Sequence, residues 1–127
     1  MPNPSQYRFS ESHEWFHQDG NTVTAGITQY AADELTDVTY VEMRPVGTKV
    51  APGDSLGEVE SVKTTSDVYS VVAGEIMEVN KSLANDPSLV NSDPYGKGWL
   101  VKIRAADTSS LSGLMDQRTY DERYPVG

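Results

Sequence analysis

The 127-residue chain has no cysteine, which excludes disulfides, thiolate metal centres and thiol nucleophiles; any redox chemistry must come from an attached group. No stretch approaches the run of about eighteen apolar residues that spans a bilayer. The segment Met1-Pro2-Asn3-Pro4-Ser5 lacks the basic stretch and apolar run of a secretory signal. A cytoplasmic protein is therefore expected, or a mitochondrial matrix protein if the chain is a processed eukaryotic one. Cations are scarce, with 10 Lys and Arg against 19 Asp and Glu for a net charge of −9. That balance opposes binding to nucleic acid or an anionic membrane and favours protein partners with basic surfaces. A Gly-rich phosphate loop, a nucleophile-elbow serine and a histidine–acid relay are all missing, so intrinsic catalysis is not expected. His13 and His17 stand four apart, but the loop-to-strand boundary falls between them and no further ligands follow at motif spacing. No metal site is expected from them, and His13 reads as a local polar contact.

A chain of this length reads as one domain over residues 1–127, with a single core and no linker long enough to divide it. Its most informative stretch is Gly57-Glu58-Val59-Glu60-Ser61-Val62-Lys63-Thr64-Thr65-Ser66-Asp67-Val68-Tyr69. Val59, Ser61 and Lys63 alternate with Glu58, Glu60 and Val62, and Ser66, Val68 and Ser70 alternate with Asp67, Tyr69 and Val71. Both arms read as strands with Lys63 near the tip of a hairpin. Surface hairpins usually turn on Asn-Gly or Asp-Gly, yet the tip candidates here are Val62 and Lys63. A Schiff-base lysine needs desolvation or a neighbouring cation, whereas Lys63 is flanked by carboxylates. A lysine offered to another enzyme for acylation needs only access and a fixed local shape.

Along the chain, Tyr7-Arg8-Phe9 reads as a short strand, and Glu14 to Gln18 with Asn21 to Ile27 as a hairpin about Asp19-Gly20. Thr28 caps a helix through Leu35, although no glycine stands at Thr36 to end it. Val38 to Met43 is rich in β-branched and aromatic residues and predicts a central strand, stopped by Pro45 and Gly47. Gly53-Asp54 and Ala73-Gly74 introduce two similar arms, the second running through Glu75 to Val79, which suggests a pair of small sheets. Asn80 to Gly98 is dense in turn formers. Trp99 to Ile103 predicts a returning strand. Ser110 to Met115 and Asp116 to Tyr124 predict short helices, the second capped by Asp116 and ended by Pro125. Trp15 and Trp99 read as core or core-edge residues. Glu58, Glu60, Glu75 and Glu78 read as a solvated face able to steer basic partners.

Glu60-Ser61-Val62-Lys63 followed by Ser66-Asp67, with a Gly74-Glu75 turn further on, resembles the lipoyl-attachment hairpin of the H-protein family of the glycine cleavage system. Ser12-His13-Glu14-Trp15, Gly26-Ile27-Thr28, Asn91-Asp93-Pro94-Tyr95-Gly96 and Gly98-Trp99 extend the resemblance over nearly the whole chain. A biotinyl domain would typically place Met on both sides of its lysine, where this chain has Val62 and Thr64. The resemblance implies a mainly β lipoyl/biotinyl-type hammerhead of two small antiparallel sheets, with a short helix after Thr28 and short C-terminal helices. It further implies a monomeric, non-catalytic shuttle with lipoate joined through an amide to Lys63. That arm would take an aminomethyl group from the pyridoxal-phosphate glycine decarboxylase to the tetrahydrofolate-dependent aminomethyltransferase and be reoxidised by dihydrolipoamide dehydrogenase. Lipoate-attaching enzymes would be further partners. By the same resemblance, Glu14 and Asp67 would neutralise the amine of the loaded arm, with Ser12 as a hydrogen-bond partner. A lipoate-relay or regulatory relative is the alternative reading.

Overall fold

The computed structural model describes residues 7–124; Pro125 and the Met1–Ser5 segment lie outside them. Nine strands among the described residues form two antiparallel sheets. The larger contains β1 (Tyr7–Phe9), β2 (Glu14–Asp19), β3 (Thr22–Ile27), β5 (Lys49–Val50), β8 (Ala73–Val79) and β9 (Val101–Asp107), in the order β1-β2-β3-β9-β8-β5. The smaller contains β4 (Val38–Met43), β6 (Ser55–Ser61) and β7 (Thr65–Tyr69), with β6 in the middle.

Period-two alternation, shifted by one residue at a bulge between Ser55 and Gly57 of β6, explains how the sheets are held. Val23 and Ala25 of β3, Leu56 and Val59 of β6, Val68 of β7, Ile76 of β8 and Val101 and Ile103 of β9 are buried in one apolar cluster that draws on both sheets. Each of the Val, Leu and Ile side chains among them contributes about 1.5–3 kcal/mol relative to exposure. A second, aromatic cluster of Tyr7, Phe9, Trp15 and Tyr120 ties β1 and β2 to the C-terminal helix. Trp15 is buried there and donates its indole N–H to the Pro94 carbonyl at 2.9 Å.

The expected helix is α1 (Gln29–Leu35), capped by the Thr28 hydroxyl, which accepts the Ala31 N–H at 3.1 Å. It ends on Thr36 at φ 63° and ψ −135°, close to the region that only glycine occupies without strain. Asn91 compensates. Its amide donates to the carbonyls of Ala32 at 3.2 Å and Thr36 at 2.5 Å, and its carbonyl accepts the Val38 N–H at 2.9 Å. Relief of the strain outweighs the added freedom of the unfolded chain, so Thr36→Gly is expected to stabilise the fold by about 1 kcal/mol. Thermal unfolding checks this as a rise in Tm of about 4 °C.

Three expectations need correction. Val38–Met43 is an edge strand, not a central one, because β6 pairs on both sides and β4 on one. β-branched composition reports a half-buried pleated surface, which an edge strand also presents. Gly74 and Glu75 lie inside β8 instead of at a turn, paired to Ala105 and Arg104. The stretch read as loop between Asn80 and Gly98 holds two single-turn helices, α2 (Ser82–Asn85) and α3 (Leu89–Ser92), too short for periodicity to register. The strand predicted at Trp99 is β9, which starts at Val101 and takes an interior position between β3 and β8. A 3-10 turn (Ser109–Gly113) and α4 (Gln117–Arg123) follow, and the Asp116 carboxylate accepts the Thr119 N–H at 2.8 Å as the cap of α4.

Candidate functional site: a lysine-tipped hairpin beside a carboxylate-lined cleft

β6 and β7 pair from Glu60–Thr65 down to Ser55–Tyr69, leaving Val62, Lys63 and Thr64 as the turn. None of the three has positive φ. Ser61 explains how the chain reverses without glycine. Its N–H donates to the Thr64 carbonyl at 2.8 Å, and its hydroxyl oxygen accepts the N–H groups of Lys63 and Thr64, both at 3.1 Å. The hydroxyl also donates to the Thr64 carbonyl at 3.1 Å. A serine side chain thus does what a turn glycine usually does, and Val62 and Lys63 stand exposed at the tip.

The Lys63 ammonium donates to the Glu34 carbonyl at 3.2 Å, near the end of α1. Cations are favoured at a helix C-terminus, where backbone carbonyls lack partners. Glu34 also lines a cleft of about 330 Å³. One wall is α1, which contributes Tyr30, Ala31, Glu34 and Leu35; the other is Val59 of β6 with Ser66, Asp67 and Val68 of β7. Ile27 and the Ser12-His13-Glu14 segment complete it. Its lining is mixed, with the apolar side chains of Ile27, Ala31, Leu35, Val59 and Val68 beside polar groups from β2, α1 and β7.

All three residues proposed from the resemblance line this cleft, in different settings. Ser12 and Asp67 are exposed, while Glu14 is 1% exposed. One Glu14 carboxylate oxygen accepts from the hydroxyls of Ser10 at 2.5 Å and Ser12 at 2.6 Å; the other accepts the Tyr69 N–H at 3.1 Å. Burial pushes the Glu14 carboxyl up from the ordinary carboxylate range, and those three hydrogen bonds pull against it. Asp67 accepts from the Tyr69 hydroxyl at 3.4 Å.

Sequence reasoning missed His13, Tyr30, Glu34, Leu35 and Ser66 as cleft residues. Tyr30, Ala31, Glu34 and Leu35 fall at i, i+1, i+4 and i+5, one face of a helix, which was a usable signal. His13 does make a polar contact, but with a residue 107 positions away, the Tyr120 hydroxyl at 2.8 Å. His17 instead packs against Tyr7 with ring centroids 4.9 Å apart. Trp15 is a core residue, and Trp99 lies at the core edge under the Lys102 ammonium at 5.1 Å. Glu58, Glu60, Glu75 and Glu78 are exposed. Among the described residues, no helix is long and apolar enough to cross a membrane.

An antiparallel two-sheet fold that offers a lysine on a tight hairpin beside a cleft defines the class of lipoyl-type carrier domains. The family model described as glycine cleavage H-protein matches residues 7–125. The chain is 48% identical to a glycine cleavage system H protein of Thermus thermophilus over 122 residues, covering 96% of this chain and 95% of that protein. It is 45% identical to that of Staphylococcus saprophyticus, covering 96% of this chain and 97% of that one. The crystal structure of a glycine cleavage system H protein from Mycobacterium marinum superposes with a TM-score of 0.86 at 33% identity, over 98% of this chain and 100% of that chain. The chain belongs to the glycine cleavage H-protein family. Its role therefore lies in glycine cleavage, as a carrier component and not as a catalyst.

Proposed function

We propose that Lys63 is the lipoyl attachment site and that this domain shuttles an aminomethyl group from glycine decarboxylase to the tetrahydrofolate-dependent aminomethyltransferase, with dihydrolipoamide dehydrogenase restoring the arm. The observation that carries the reading is the placement of the Lys63 amine, which touches the Glu34 carbonyl beside a cleft containing Glu14 and Asp67. Lipoate would supply a cyclic disulfide whose S–S bond is reduced by two electrons as one sulfur takes up the aminomethyl unit and the other becomes a thiol, the redox capacity a cysteine-free chain lacks.

The residues present fit that group. A lysine stem with an eight-carbon acyl chain reaches roughly 14 Å at about 1.3 Å per bond, enough to lie along a slot whose near end is beside Lys63. Ala31, Leu35, Val59 and Val68 would meet its methylenes, and Ile27 and Tyr30 its further part. Glu14 would face the cargo ammonium from its buried position, with Asp67 as a second, solvent-screened carboxylate and Ser12 orienting Glu14. A partly closed cleft strengthens that attraction and limits water at a carbon that hydrolysis would release as formaldehyde. The net charge of −9 steers encounters with basic partner surfaces, including those of lipoate-attaching enzymes.

The test is intact mass and peptide mapping of the protein from its native source. A single lipoyl group on the peptide containing Lys63 is expected. Lipoate on Lys49, Lys81 or Lys102 would overturn the assignment.

A further inference from the structure

We infer that Tyr120, on the C-terminal helix α4, is a positioning residue for the arm cleft and acts through His13. The inference rests on the docking role proposed for Glu14 and extends the docking machinery to an element that does not line the cleft.

His13 lies between two cleft residues, Ser12 and Glu14, and has φ 69°. A residue other than glycine reaches that conformation against a steric penalty and keeps it only when its surroundings hold it. The turn it makes is what lets the Ser12 hydroxyl donate to the Glu14 carboxylate at 2.6 Å, across a two-residue separation. Two hydrogen bonds hold His13 from outside its own segment. Its carbonyl accepts the Thr28 N–H at 3.0 Å, and its ring Nδ1 is 2.8 Å from the Tyr120 hydroxyl.

Tyr120 is suited to be the fixed end of that contact. It is 1% exposed, and its ring stacks on Phe9 with centroids 4.9 Å apart. Its hydroxyl is also 2.8 Å from the Thr28 hydroxyl, the cap of α1. A phenol donates one proton and accepts others, so both contacts are met at once, with His13 on one side and Thr28 on the other. One buried hydroxyl thereby joins two segments that line the cleft, the Ser12-His13-Glu14 turn and the start of the α1 wall. The His13 ring also packs between Tyr30 and Tyr124, each with centroids 4.7 Å away, which restricts its rotamers.

The test compares Tyr120→Phe, which keeps the stacked ring, with His13→Asn, which tolerates positive φ but loses the imidazole. In the unlipoylated protein, hydrogen exchange read by NMR is expected to speed up several-fold at the Thr28 and Glu14 amides in Tyr120→Phe. Exchange at the Tyr120 and Tyr124 amides of the C-terminal helix should stay unchanged. In the lipoylated protein, loaded by the decarboxylase and then separated from it, formaldehyde release should rise about five-fold in either variant, the kinetic equivalent of one ordinary hydrogen bond. The double variant should release more slowly than the product of the two single effects predicts, because both changes break the contact between Tyr120 and His13, while Tyr120→Phe alone also removes the contact with Thr28. Multiplying effects would show that Tyr120 does not act through His13. Unchanged release in Tyr120→Phe alongside faster release in Glu14→Ala would remove the inference and leave the docking role standing. Unchanged release in all of them would remove both. Should Tyr120→Phe unfold, His13→Asn alone decides the question by the same exchange and release measurements.

Discussion

Lys63→Arg is expected to abolish carrier activity completely while leaving the fold within about 0.5 kcal/mol of the parent protein. Forming the lipoyl amide requires a primary amine that can lose a proton and attack an activated acyl carbon, and a guanidinium does not do this under the same conditions. The structural cost is small because the turn is closed by Ser61 and not by the lysine side chain. The contact of that side chain with the Glu34 carbonyl can be remade by an arginine donor. Intact mass after incubation with a lipoate-attaching enzyme, a thermal melt, and glycine-dependent turnover in the reconstituted system check the three parts. Turnover above background, or acylation elsewhere in the chain, would defeat the assignment.

The second large effect belongs to Glu14. Glu14→Ala should shorten the lifetime of the bound aminomethyl cargo about ten-fold or more, since a charged hydrogen bond away from water contributes about 1.5–3 kcal/mol. Asp67→Ala should act more weakly, by about two- to five-fold, and its effect should fade with salt because the group is exposed. Acylation of Lys63 should proceed in both. The pH dependence follows from the raised Glu14 carboxyl. Above its titration the carboxylate would hold the ammonium of a docked arm; as pH falls through that value the charge disappears and the lifetime of the cargo should shorten. Stability runs the other way, since a native state that binds the proton more tightly than the unfolded chain loses stability as pH rises from the ordinary carboxylate value through the raised one. Glu14→Gln should flatten both profiles. Its amide can donate to the hydroxyls of Ser10 and Ser12 while its carbonyl accepts the Tyr69 N–H. Formaldehyde release and Tm, each followed against pH, provide the comparison. A Tm profile in Glu14→Gln as steep as that of the parent would show that burial does not govern this carboxyl.

Much of this was legible in the residues. The hairpin could be read because Val59 and Ser61 face one way and Glu58 and Glu60 the other, and because a turn without glycine marked the lysine. The cap at Thr28 and the cap at Asp116 were local signals and were found where expected. What the sequence did not carry were relations between distant segments. No periodicity tells which side of a sheet lacks a neighbour, so β4 passed as a central strand. The burial of Glu14 depends on β7 approaching it, a separation of 55 residues. The contact of His13 with Tyr120 spans nearly the whole chain, and the left-handed backbone at His13 has no local signature of the Gly or Asn kind.

Asn91 has a consequence for how reversible docking is. With α1 fastened at one end by Asn91 and at the other by Thr28 and Tyr120, the wall of the slot is in place before an arm enters. No segment of the protein has to be ordered for binding, so the entropy lost on docking is that of the arm's own rotors. Those rotors would offset part of the proposed attraction at Glu14, so an arm held in this way would still be able to leave for the next enzyme. A slot that closed around its cargo would shelter it better and surrender it too slowly; a rigid, open-mouthed one trades some protection for turnover.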